Sequence, residues 1–329
     1  MIRIAINGFG RIGRVLTRVI QKYPEIQLVA INDLADAKTL AHLLKYDSIH
    51  RLFPNEISCN EELIFIGGNS VKVFKERDPA LLPWKSLGVD IVVESTGFFT
   101  DKQGAGKHIQ AGAKKVIISA PPKDADIKAV VMGINDSILD GTENIISNAS
   151  CTTNCAAPMV KVLDELCGIE NGYIITVHSY TTDQRLQDAP HKDLRRARAA
   201  AESIVPTSTG AAKAITKIFP HLEGKLGGSG IRVPVPDGSL TDVTCTVKNV
   251  KNIEEINNAF KKASETTLKG ILQYGTDPVV SSDIIGNPFS CVFDTELTSV
   301  IGNMVKVVGW YDNEMGYSNR LAELIKKIA

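Results

Sequence analysis

Short apolar runs alternate with segments of helical spacing along the first half of the chain. Three isoleucines in the run 1–7 predict a strand, and apolar residues at Val15, Leu16 and Val19 predict a helix over 14–22. Further strands are predicted over 27–32, 71–74, 90–94, 116–119, 129–132 and 145–147, and helices over 35–44 and 104–112. Elements in this order are typical of an α/β domain with a parallel, doubly wound sheet of the Rossmann type.

The second half has a different pattern. Its β-branched or alternating runs predict strands over 172–177, 231–235, 241–247 and 306–311, and its helical spacing predicts helices over 152–167, 211–217, 254–265 and 317–328. This order is typical of an α+β domain with a mixed or antiparallel sheet. Because 329 residues exceed one typical core, we expect two domains. The first is 1–149, completed by the C-terminal helix 316–329, and the second is 150–315.

A glycine-rich turn separates the first strand from the first helix. Gly8, Gly10 and Gly13 form the pattern G-x-G-x-x-G in the strand–turn–helix context that dinucleotide binding requires. Gly8 permits the tight turn, Gly10 lets the backbone approach a pyrophosphate, and Gly13 lets the helix pack closely on the strand. The diphosphate is expected at the N-terminus of the helix, where the helix dipole favours an anion.

Asp33 follows the second strand, 20 residues after Gly13. A carboxylate there can accept both hydroxyls of an adenosine ribose and repels a 2′-phosphate, which favours NAD over NADP. The alternative is that Asp33 caps the helix predicted at 35–44. Thr96 and Ser119 stand at the ends of two further strands, and we expect them to line the cofactor cleft.

A second candidate site combines Cys151 with His178. The thiolate is the nucleophile, and a free thiol with a pKa of ~8.5 is only about 3% ionised at neutral pH. A nearby histidine can take the proton and a helix N-terminus favours an anion, so we expect a lowered pKa for Cys151. The alternatives are that Cys151 is a small buried hydrophobic residue, or that it forms a redox pair with Cys155.

Composition limits the partners and the compartment. With 37 basic and 37 acidic residues the formal net charge is zero, so no overall field draws the chain to nucleic acid or a membrane. No apolar run is long enough to span a bilayer, and the start lacks a signal-peptide pattern. The six cysteines lack metal-ligand spacing, which favours free thiols, no metal site and a cytoplasmic location. The basic cluster 191–198 is either a solvated face or a patch for an anionic substrate or a neighbouring subunit.

Several motifs stand in a characteristic order. Ile-Asn-Gly-Phe-Gly-Arg-Ile-Gly-Arg at 6–14 and Ser-Cys-Thr-Thr-Asn-Cys at 150–155 are joined by motifs at 42–48, 113–119, 206–213 and 310–314. Together they closely resemble the phosphorylating, NAD-dependent glyceraldehyde-3-phosphate dehydrogenases of bacterial type over nearly the whole chain. The resemblance implies oxidation and phosphorylation of D-glyceraldehyde 3-phosphate to 1,3-bisphosphoglycerate in glycolysis or gluconeogenesis. Cys151 would form a thiohemiacetal and then a thioester, with His178 as the base.

The resemblance also implies which residues bind ligands. Cofactor binding would involve Gly8, Gly10, Arg11, Ile12, Gly13, Asp33, Arg77, Thr96, Ser119, Asn313 and Tyr317. The two anion sites would consist of Thr181, Arg195 and Arg232, and of Ser150, Thr152, Thr209 and Gly210. Asn313 would hold the nicotinamide carboxamide. The stretch from about 180 to 204 resembles a loop that crosses to a neighbouring subunit, which implies a homotetramer.

One residue departs from the family pattern, and three alternative functions stay open. Ala189 stands where NAD-using members of the family usually have leucine, so some use of NADP is open although Asp33 and Pro190 are retained. The nearest alternative enzyme is an erythrose-4-phosphate dehydrogenase, which departs from the patterns kept here at 178–181 and 207–210. A hydrolytic aldehyde dehydrogenase would use the same thiol without two phosphate sites. A protein that only binds partners would not need Cys151 beside His178.

Overall fold

A computed structural model describes residues 1–208 and 210–329, so the candidate anion residue Thr209 lies outside the described residues. The chain divides into two units. Unit 1 comprises Met1–Val130, Asp136–Ala149 and Ser318–Ala329, and unit 2 comprises Val131–Asn135 and Ser150–Tyr317. Within the described ranges, no helix combines the length and the apolar character that crossing a bilayer requires.

Unit 1 is built on a nine-stranded sheet. Its elements in chain order are β1 (Ile2–Asn7), α1 (Arg11–Val19), β2 (Ile26–Asn32), α2 (Ala37–Lys45), β3 (Tyr46–Asp47), β4 (Arg51–Leu52), β5 (Ile57–Cys59), β6 (Leu63–Ile66), β7 (Asn69–Phe74), β8 (Ile91–Glu94), α3 (Lys102–Gln110), β9 (Lys115–Ile118), β10 (Lys128–Ala129) and β11 (Ile145–Ser147). The strand order is β10-β11-β9-β8-β1-β2-β7-β6-β5, and β3 pairs separately with β4. Pairing is parallel from β10 to β7 and antiparallel from β7 to β5.

The central strands of this sheet are buried, and most of their residues are apolar. Every residue of β8 is buried, and Ile4, Ala5 and Ile6 of β1 are fully buried. Trp84 belongs to the same core and is also fully buried. The carboxyl ends of β1, β2 and β8 therefore lie side by side at one edge of a rigid sheet.

Unit 2 contains a seven-stranded mixed sheet. Its elements are α4 (Cys151–Cys167), β12 (Ile169–Ser179), β13 (Val205–Thr207), α5 (Ala211–Ile218), β14 (Leu226–Val233), β15 (Ser239–Val247), α6 (Ile253–Glu265), β16 (Leu272–Gly275), α7 (Ser281–Ile284), β17 (Cys291–Ile301) and β18 (Met304–Tyr311). The strand order is β13-β14-β12-β15-β18-β17-β16. The pairs β12–β14 and β16–β17 are parallel, and the others are antiparallel. The last helix, α8 (Met315–Ile328), belongs to unit 1 from Ser318 onward.

The doubly wound sheet and the second, mixed sheet were both predicted, and both are confirmed. The helix predicted over 14–22 begins earlier, at Arg11, because its first turn starts directly after Gly10 and includes Gly13. The strand predicted over 129–132 is limited to β10. Strand β17 was not predicted, since a register shift between Asp294 and Ser299 interrupts its alternation of buried and exposed residues.

Candidate active site

The turn after β1 passes very close to the end of β8. Gly8 has a φ of +91°, and a Cβ there would lie 2.7 Å from the backbone nitrogen of Thr96. A Cβ on Gly13 would lie 2.7 Å from the carbonyl oxygen of Gly8, whereas a Cβ on Gly10 would meet no atom within 4 Å. Gly8 and Gly13 therefore allow close packing, and Gly10 faces open space at the N-terminus of α1, which no side chain caps.

Asp33 is tied to this turn. Its carboxylate accepts hydrogen bonds from the backbone N–H of Phe9 at 2.8 Å and of Ala35 at 3.1 Å. The N-cap of α2 is Asp36, which accepts from the backbone N–H of Thr39 at 2.7 Å. The alternative that Asp33 caps this helix is therefore wrong. Asp33 remains partly exposed beside the glycine turn, where an anionic acceptor can meet ribose hydroxyls.

The side chain of Arg11 is engaged elsewhere in unit 1. Its guanidinium donates to both carboxylate oxygens of Asp47, at 2.6 and 3.1 Å. Burial raises the pKa of Asp47, but the hydrogen bonds from Arg11 and from the N–H groups of His50 and Ile49 outweigh it and lower the pKa to about 2. The backbone of Arg11 at the helix N-terminus, rather than its guanidinium, is therefore the group suited to a diphosphate.

Other predicted cofactor residues lie in the same unit. Ile12 is half-buried in the first turn of α1, and Arg77 is exposed beyond β7. Thr96 is the second residue after β8, and its Oγ1 donates to the carboxylate of Glu94. The buried Oγ of Ser119, just after β9, has no hydrogen-bond partner in this structure. An orphaned hydroxyl at the carboxyl end of a parallel strand fits a polar ligand group.

The thiol site of unit 2 begins at a strained turn. Ala149 has a φ of +54°, which L side chains rarely adopt, and Ser150 follows it as the N-cap of α4. The Oγ of Ser150 accepts from the backbone N–H of Thr153 at 3.1 Å. Cys151 is the first residue of the helix and is half-buried, so its thiol is placed at the positive end of the helix dipole.

A histidine and an arginine from two parallel strands complete this site. The Sγ of Cys151 lies 3.4 Å from Nε2 of His178. The register of β12 and β14 places His178 opposite Arg232, whose Nη1 lies 2.7 Å from Nδ1 of the imidazole. The carbonyl oxygen of Ser179 lies 2.8 Å from the same Nδ1 and accepts from Arg232 Nη1 at 2.9 Å. The imidazole of His178 thus has the candidate nucleophile at one ring nitrogen and a cation at the other.

Tyr311 links helix α4 to strand β12 beside the thiol. The sequence did not predict this role. Its hydroxyl lies 2.9 Å from Oγ1 of Thr152 and 2.9 Å from Oγ1 of Thr176. Its ring meets the imidazole of His178 edge-on, with centroids 5.9 Å apart. Tyr311 is 1% exposed, and burial raises the pKa of its phenol. Tyr311 therefore stays neutral and connects the first turn of α4 to β12. This role became visible only in the structure, because the three residues are far apart in the chain.

The lowered pKa expected for the thiol is not what the structure gives. Burial raises the pKa of Cys151, although the positive charge of Arg232 acts in the opposite direction. Burial, followed by the charge of Arg232, lowers the pKa of His178 to about 3. The resting pair is therefore a thiol and a neutral imidazole. Helix position and a nearby histidine were visible in the sequence, whereas the burial that outweighs them is a tertiary effect.

The predicted anion residues are only partly brought together. The hydroxyl of Thr181 donates to Asp183, and Asp183 accepts from Arg196. Arg196 also donates to Oγ1 of Thr207, from Nε at 3.0 Å and Nη2 at 2.7 Å. The side chain of Arg195 is exposed, and its backbone N–H donates to Asp193 at 2.9 Å. Asp183, Arg196 and Thr207 were not singled out from the sequence, although Arg196 belongs to the basic cluster 191–198.

Three further predicted residues lie in unit 2. The Oδ1 atom of Asn313 accepts from the hydroxyls of Ser179 at 2.8 Å and Ser239 at 2.7 Å. Because its oxygen is held by two donors, its Nδ2 amide is oriented as a donor on the other side. Gly210 is the N-cap of α5, with open space where a Cβ would lie, and Tyr317 is buried in α8.

The six cysteines are all free thiols. Cys155, the proposed redox partner of Cys151, is fully buried, and its thiol donates to the carbonyl oxygen of Gly309 at 3.7 Å. Burial raises the pKa of Cys155 well above its ordinary value. Its thiol is therefore an unreactive part of the core, because the thiolate is the reactive form.

Both units of the chain contain residues that match known protein families. The family model of the glyceraldehyde 3-phosphate dehydrogenase NAD binding domain matches residues 2–102, and that of the C-terminal domain matches residues 150–313. Glyceraldehyde-3-phosphate dehydrogenase of Mycobacterium avium is 57% identical over 331 residues, covering 98% of this chain and 97% of that protein. The enzyme of the same name from Streptomyces coelicolor is 57% identical over 327 residues, with the same coverage.

Proposed function

The chain belongs to the glyceraldehyde-3-phosphate dehydrogenase family, and from that premise we propose that it oxidises and phosphorylates D-glyceraldehyde 3-phosphate to 1,3-bisphosphoglycerate, using NAD and inorganic phosphate. The observation that carries the proposal is the 3.4 Å contact between Sγ of Cys151 and Nε2 of His178, with Arg232 on the other ring nitrogen. A thiol, a neutral base and a fixed cation are the groups that covalent aldehyde oxidation needs.

The residues of unit 1 fit a bound dinucleotide. The space above Gly10, the uncapped N-terminus of α1 and the carboxylate of Asp33 suit a diphosphate and a ribose. Asn313 would hold the carboxamide through its oriented Nδ2. When bound, NAD supplies the hydride acceptor of the reaction. We therefore assign residues 1–149 with the C-terminal helix 316–329 to cofactor binding and residues 150–315 to catalysis.

His178 acts as the base because its Nε2 can accept a proton. In the Nδ1–H tautomer the imidazole donates to the carbonyl oxygen of Ser179, and the Nε2 lone pair is directed at Sγ of Cys151. Nη1 of Arg232 can only donate, so in this tautomer its hydrogen bond goes to the same carbonyl oxygen and it acts on the ring through its charge. Sγ adds to the aldehyde carbon while the thiol proton passes through Nε2 to the aldehyde oxygen, and a thiohemiacetal forms. On oxidation Nε2 takes the hydroxyl proton, and Cys151 becomes a thioester. Phosphate then attacks the acyl carbon, the C–S bond breaks, and Cys151 leaves as a thiolate that takes back the proton held on Nε2.

Two anion sites serve the phosphate of the substrate and the attacking phosphate. Thr181, Arg195 and Arg232 would form one site, and Ser150, Thr152, Thr209 and Gly210 the other. In support, Nη1 of Arg232 donates to the carbonyl oxygen of Ser179, which leaves its Nε and Nη2 as the donors for an anion. Thr181 hydrogen-bonds Asp183, so this hydroxyl must turn away from that carboxylate when an anion binds.

We also propose that the chain forms a homotetramer in the cytoplasm. The segment from about 180 to 204 supports an intersubunit role, because Leu186, Leu194 and Ile204 are 70–82% exposed there. Free thiols at all six cysteines support a reducing compartment. Sedimentation velocity would give a species of about four chain masses, and a monomer would contradict the assembly without affecting the proposed reaction.

The reaction is tested by NADH formation from glyceraldehyde 3-phosphate and NAD, with and without inorganic phosphate. Sustained turnover that requires phosphate is the expected result, and Cys151→Ser abolishes it. Cys59→Ser is the matched control, because this exposed thiol has no role in the mechanism. Equal turnover without phosphate would mean that water resolves the thioester. Activity with erythrose 4-phosphate alone would support the alternative enzyme.

A further inference from the structure

A buried carboxylate lies beneath the glycine turn of unit 1, and the proposed mechanism leaves it without a role. Glu94 ends β8 and is 1% exposed, and His108 of α3 is fully buried beside it. Burying a carboxylate is unfavourable unless hydrogen-bond donors surround it. The partners of Glu94 therefore indicate what this group is for.

Four donors converge on the two carboxylate oxygens. Oε1 accepts from the backbone N–H of Thr96 at 2.8 Å and from its hydroxyl. Oε2 accepts from Nδ2 of Asn7 at 2.5 Å and lies 3.1 Å from Nε2 of His108. Glu94 thus links Asn7, at the end of β1, to Thr96, in the loop after β8. Three of its four donors come from Thr96 and Asn7, next to the glycine turn.

Trp84 determines which nitrogen of His108 carries the proton. The indole Nε1–H lies 3.0 Å from Nδ1 of His108, and an indole nitrogen can only donate. Nδ1 therefore accepts, and the proton is on Nε2, which donates to Glu94. Asn7 Nδ2, 3.4 Å from the same Nε2, is itself a donor to Glu94, so both N–H groups point at the carboxylate.

The chain of contacts continues into the turn that would bind the diphosphate. Oδ1 of Asn7 accepts from Nδ2 of Asn32 at 2.7 Å, and the N–H of Gly8 donates to the carbonyl oxygen of Asn32 at 2.8 Å. Thr96 packs closely against Gly8: a Cβ on Gly8 would lie 2.7 Å from the backbone nitrogen of Thr96. Any shift of Glu94 would therefore move both sides of the turn.

We propose that His108 is a positioning residue for the dinucleotide site, which acts through Glu94 to hold Thr96 and Asn7 in place, and that Trp84 sets the tautomer this requires. The inference rests on the proposed function, because it takes the glycine turn and Thr96 as the NAD site. His108 touches neither cofactor nor substrate in this role. It supplies a hydrogen-bond donor at a fixed point in the core, and it is separate from the thiol chemistry of His178.

The affinity for NAD tests the proposal directly. His108→Leu removes both the donor and the acceptor, and we expect the Kd for NAD measured by calorimetry to rise about tenfold, the equivalent of one charged hydrogen bond. His108→Gln can still accept from Trp84 and donate to Glu94, so it should stay within about threefold of wild type. His221→Gln is the matched control: its Nε2 also contacts a carboxylate, Asp164, at 2.6 Å, but on an exposed surface of unit 2.

A second variant keeps the test decisive if His108→Leu fails to fold. Trp84→Phe keeps a large aromatic ring and removes only the indole donor. Nitrogen-15 NMR of the imidazoles should show the Nε2–H tautomer of His108 in wild type and a mixture of tautomers in Trp84→Phe. The KM for NAD should rise about threefold while the KM for the aldehyde is unchanged. Trp310→Phe is the control, since Trp310 likewise donates its Nε1–H to a carboxylate, Asp294, at 2.9 Å.

Two results would overturn the inference. The first is an unchanged Kd in His108→Leu with only a lower melting temperature, which means a purely structural role. The second is an Nδ1–H tautomer in wild type, or no change of tautomer in Trp84→Phe. If wild type itself binds no NAD, the proposed cofactor site fails instead, so the two failures are distinguishable.

Discussion

Arg232 contacts His178 on the side of the ring away from Cys151: Nη1 of the arginine lies 2.7 Å from Nδ1 of the imidazole, whereas Nε2 faces the thiol. The contact follows from the parallel register of β12 and β14, which places the two residues opposite each other. A cation in this position disfavours an imidazolium and favours a thiolate. The same residue therefore keeps the base ready to accept a proton and assists the nucleophile.

Removing this cation should slow the chemistry of the thiol. In Arg232→Gln the pKa of Cys151, which burial already raises, loses the charge that counteracts burial. We expect alkylation of Cys151 by iodoacetamide at pH 8 to slow, because a smaller fraction of the thiol is ionised. Mass spectrometry of the labelled peptides measures the rate, and the exposed Cys59 is the internal reference, because its labelling should not change. Equal rates at Cys151 in both proteins would contradict the electrostatic role.

The buried imidazole should make folding sensitive to mild acid. Burial and then Arg232 lower the pKa of His178 to about 3, so between pH ~6.5 and ~3 the unfolded chain binds a proton that the folded chain does not. Stability is therefore highest above pH ~6.5 and falls as the pH decreases. His178→Gln should lose ~3 kcal/mol less than wild type between pH 7 and pH 4, as measured by urea unfolding.

Two glycines of the same turn should respond differently to alanine. Gly8→Ala places a Cβ 2.7 Å from Thr96 at a φ of +91°, so we expect a loss of at least ~2 kcal/mol of stability. Gly10→Ala meets no protein atom within 4 Å, so stability should change by less than ~1 kcal/mol. Its added methyl occupies the space above the helix N-terminus, and NAD affinity should fall at least ~10-fold.

Thermal unfolding and calorimetric titration with NAD separate the two glycine effects. Gly106→Ala is the control for an added methyl, since Gly106 lies within α3 and a Cβ there also meets no atom within 4 Å. Unchanged NAD affinity in Gly10→Ala would contradict the assignment of the diphosphate to this turn.

Asp33 should determine the choice of cofactor despite Ala189. We expect kcat/KM for NAD to exceed that for NADP by at least ~10-fold in wild type, because a 2′-phosphate would lie against the carboxylate. Asp33→Asn keeps an acceptor for the N–H of Phe9 and removes the charge, so the ratio should fall. Asp36→Asn is the matched control, as this acid caps α2. Near-equal values for the two cofactors in wild type would contradict the assignment.

Much of the site could be predicted because its signals are local. The three glycines, Asp33 and the start of α4 at Cys151 follow from short patterns in which turn chemistry and hydrophobic periodicity act within a few residues. His178 could be identified as a candidate base, since it ends an apolar strand shortly after the thiol. The start of α1 lies three residues before the predicted one, at Arg11, because no capping side chain marks it in the sequence.

Other parts of the site depend on residues far apart in the chain. Tyr311 lies 159 positions from Thr152 and 135 from Thr176, yet its hydroxyl contacts both. Arg196 joins Asp183 and Thr207, although nothing in the local pattern distinguishes it from Arg195. The sequence alone could not decide between two adjacent arginines, because their direction depends on how the segment folds.

The sequence by itself therefore determined most of the elements and indicated the glycine turn and Cys151 as candidates, since these depend on neighbours within one or two turns of backbone. Only the tertiary structure decided the protonation of the reacting pair. The pKa of Cys151 is raised and that of His178 is lowered because folding buries both and brings Arg232 to the imidazole. Burial and strand register are properties of the whole sheet, and no short segment of the chain encodes them.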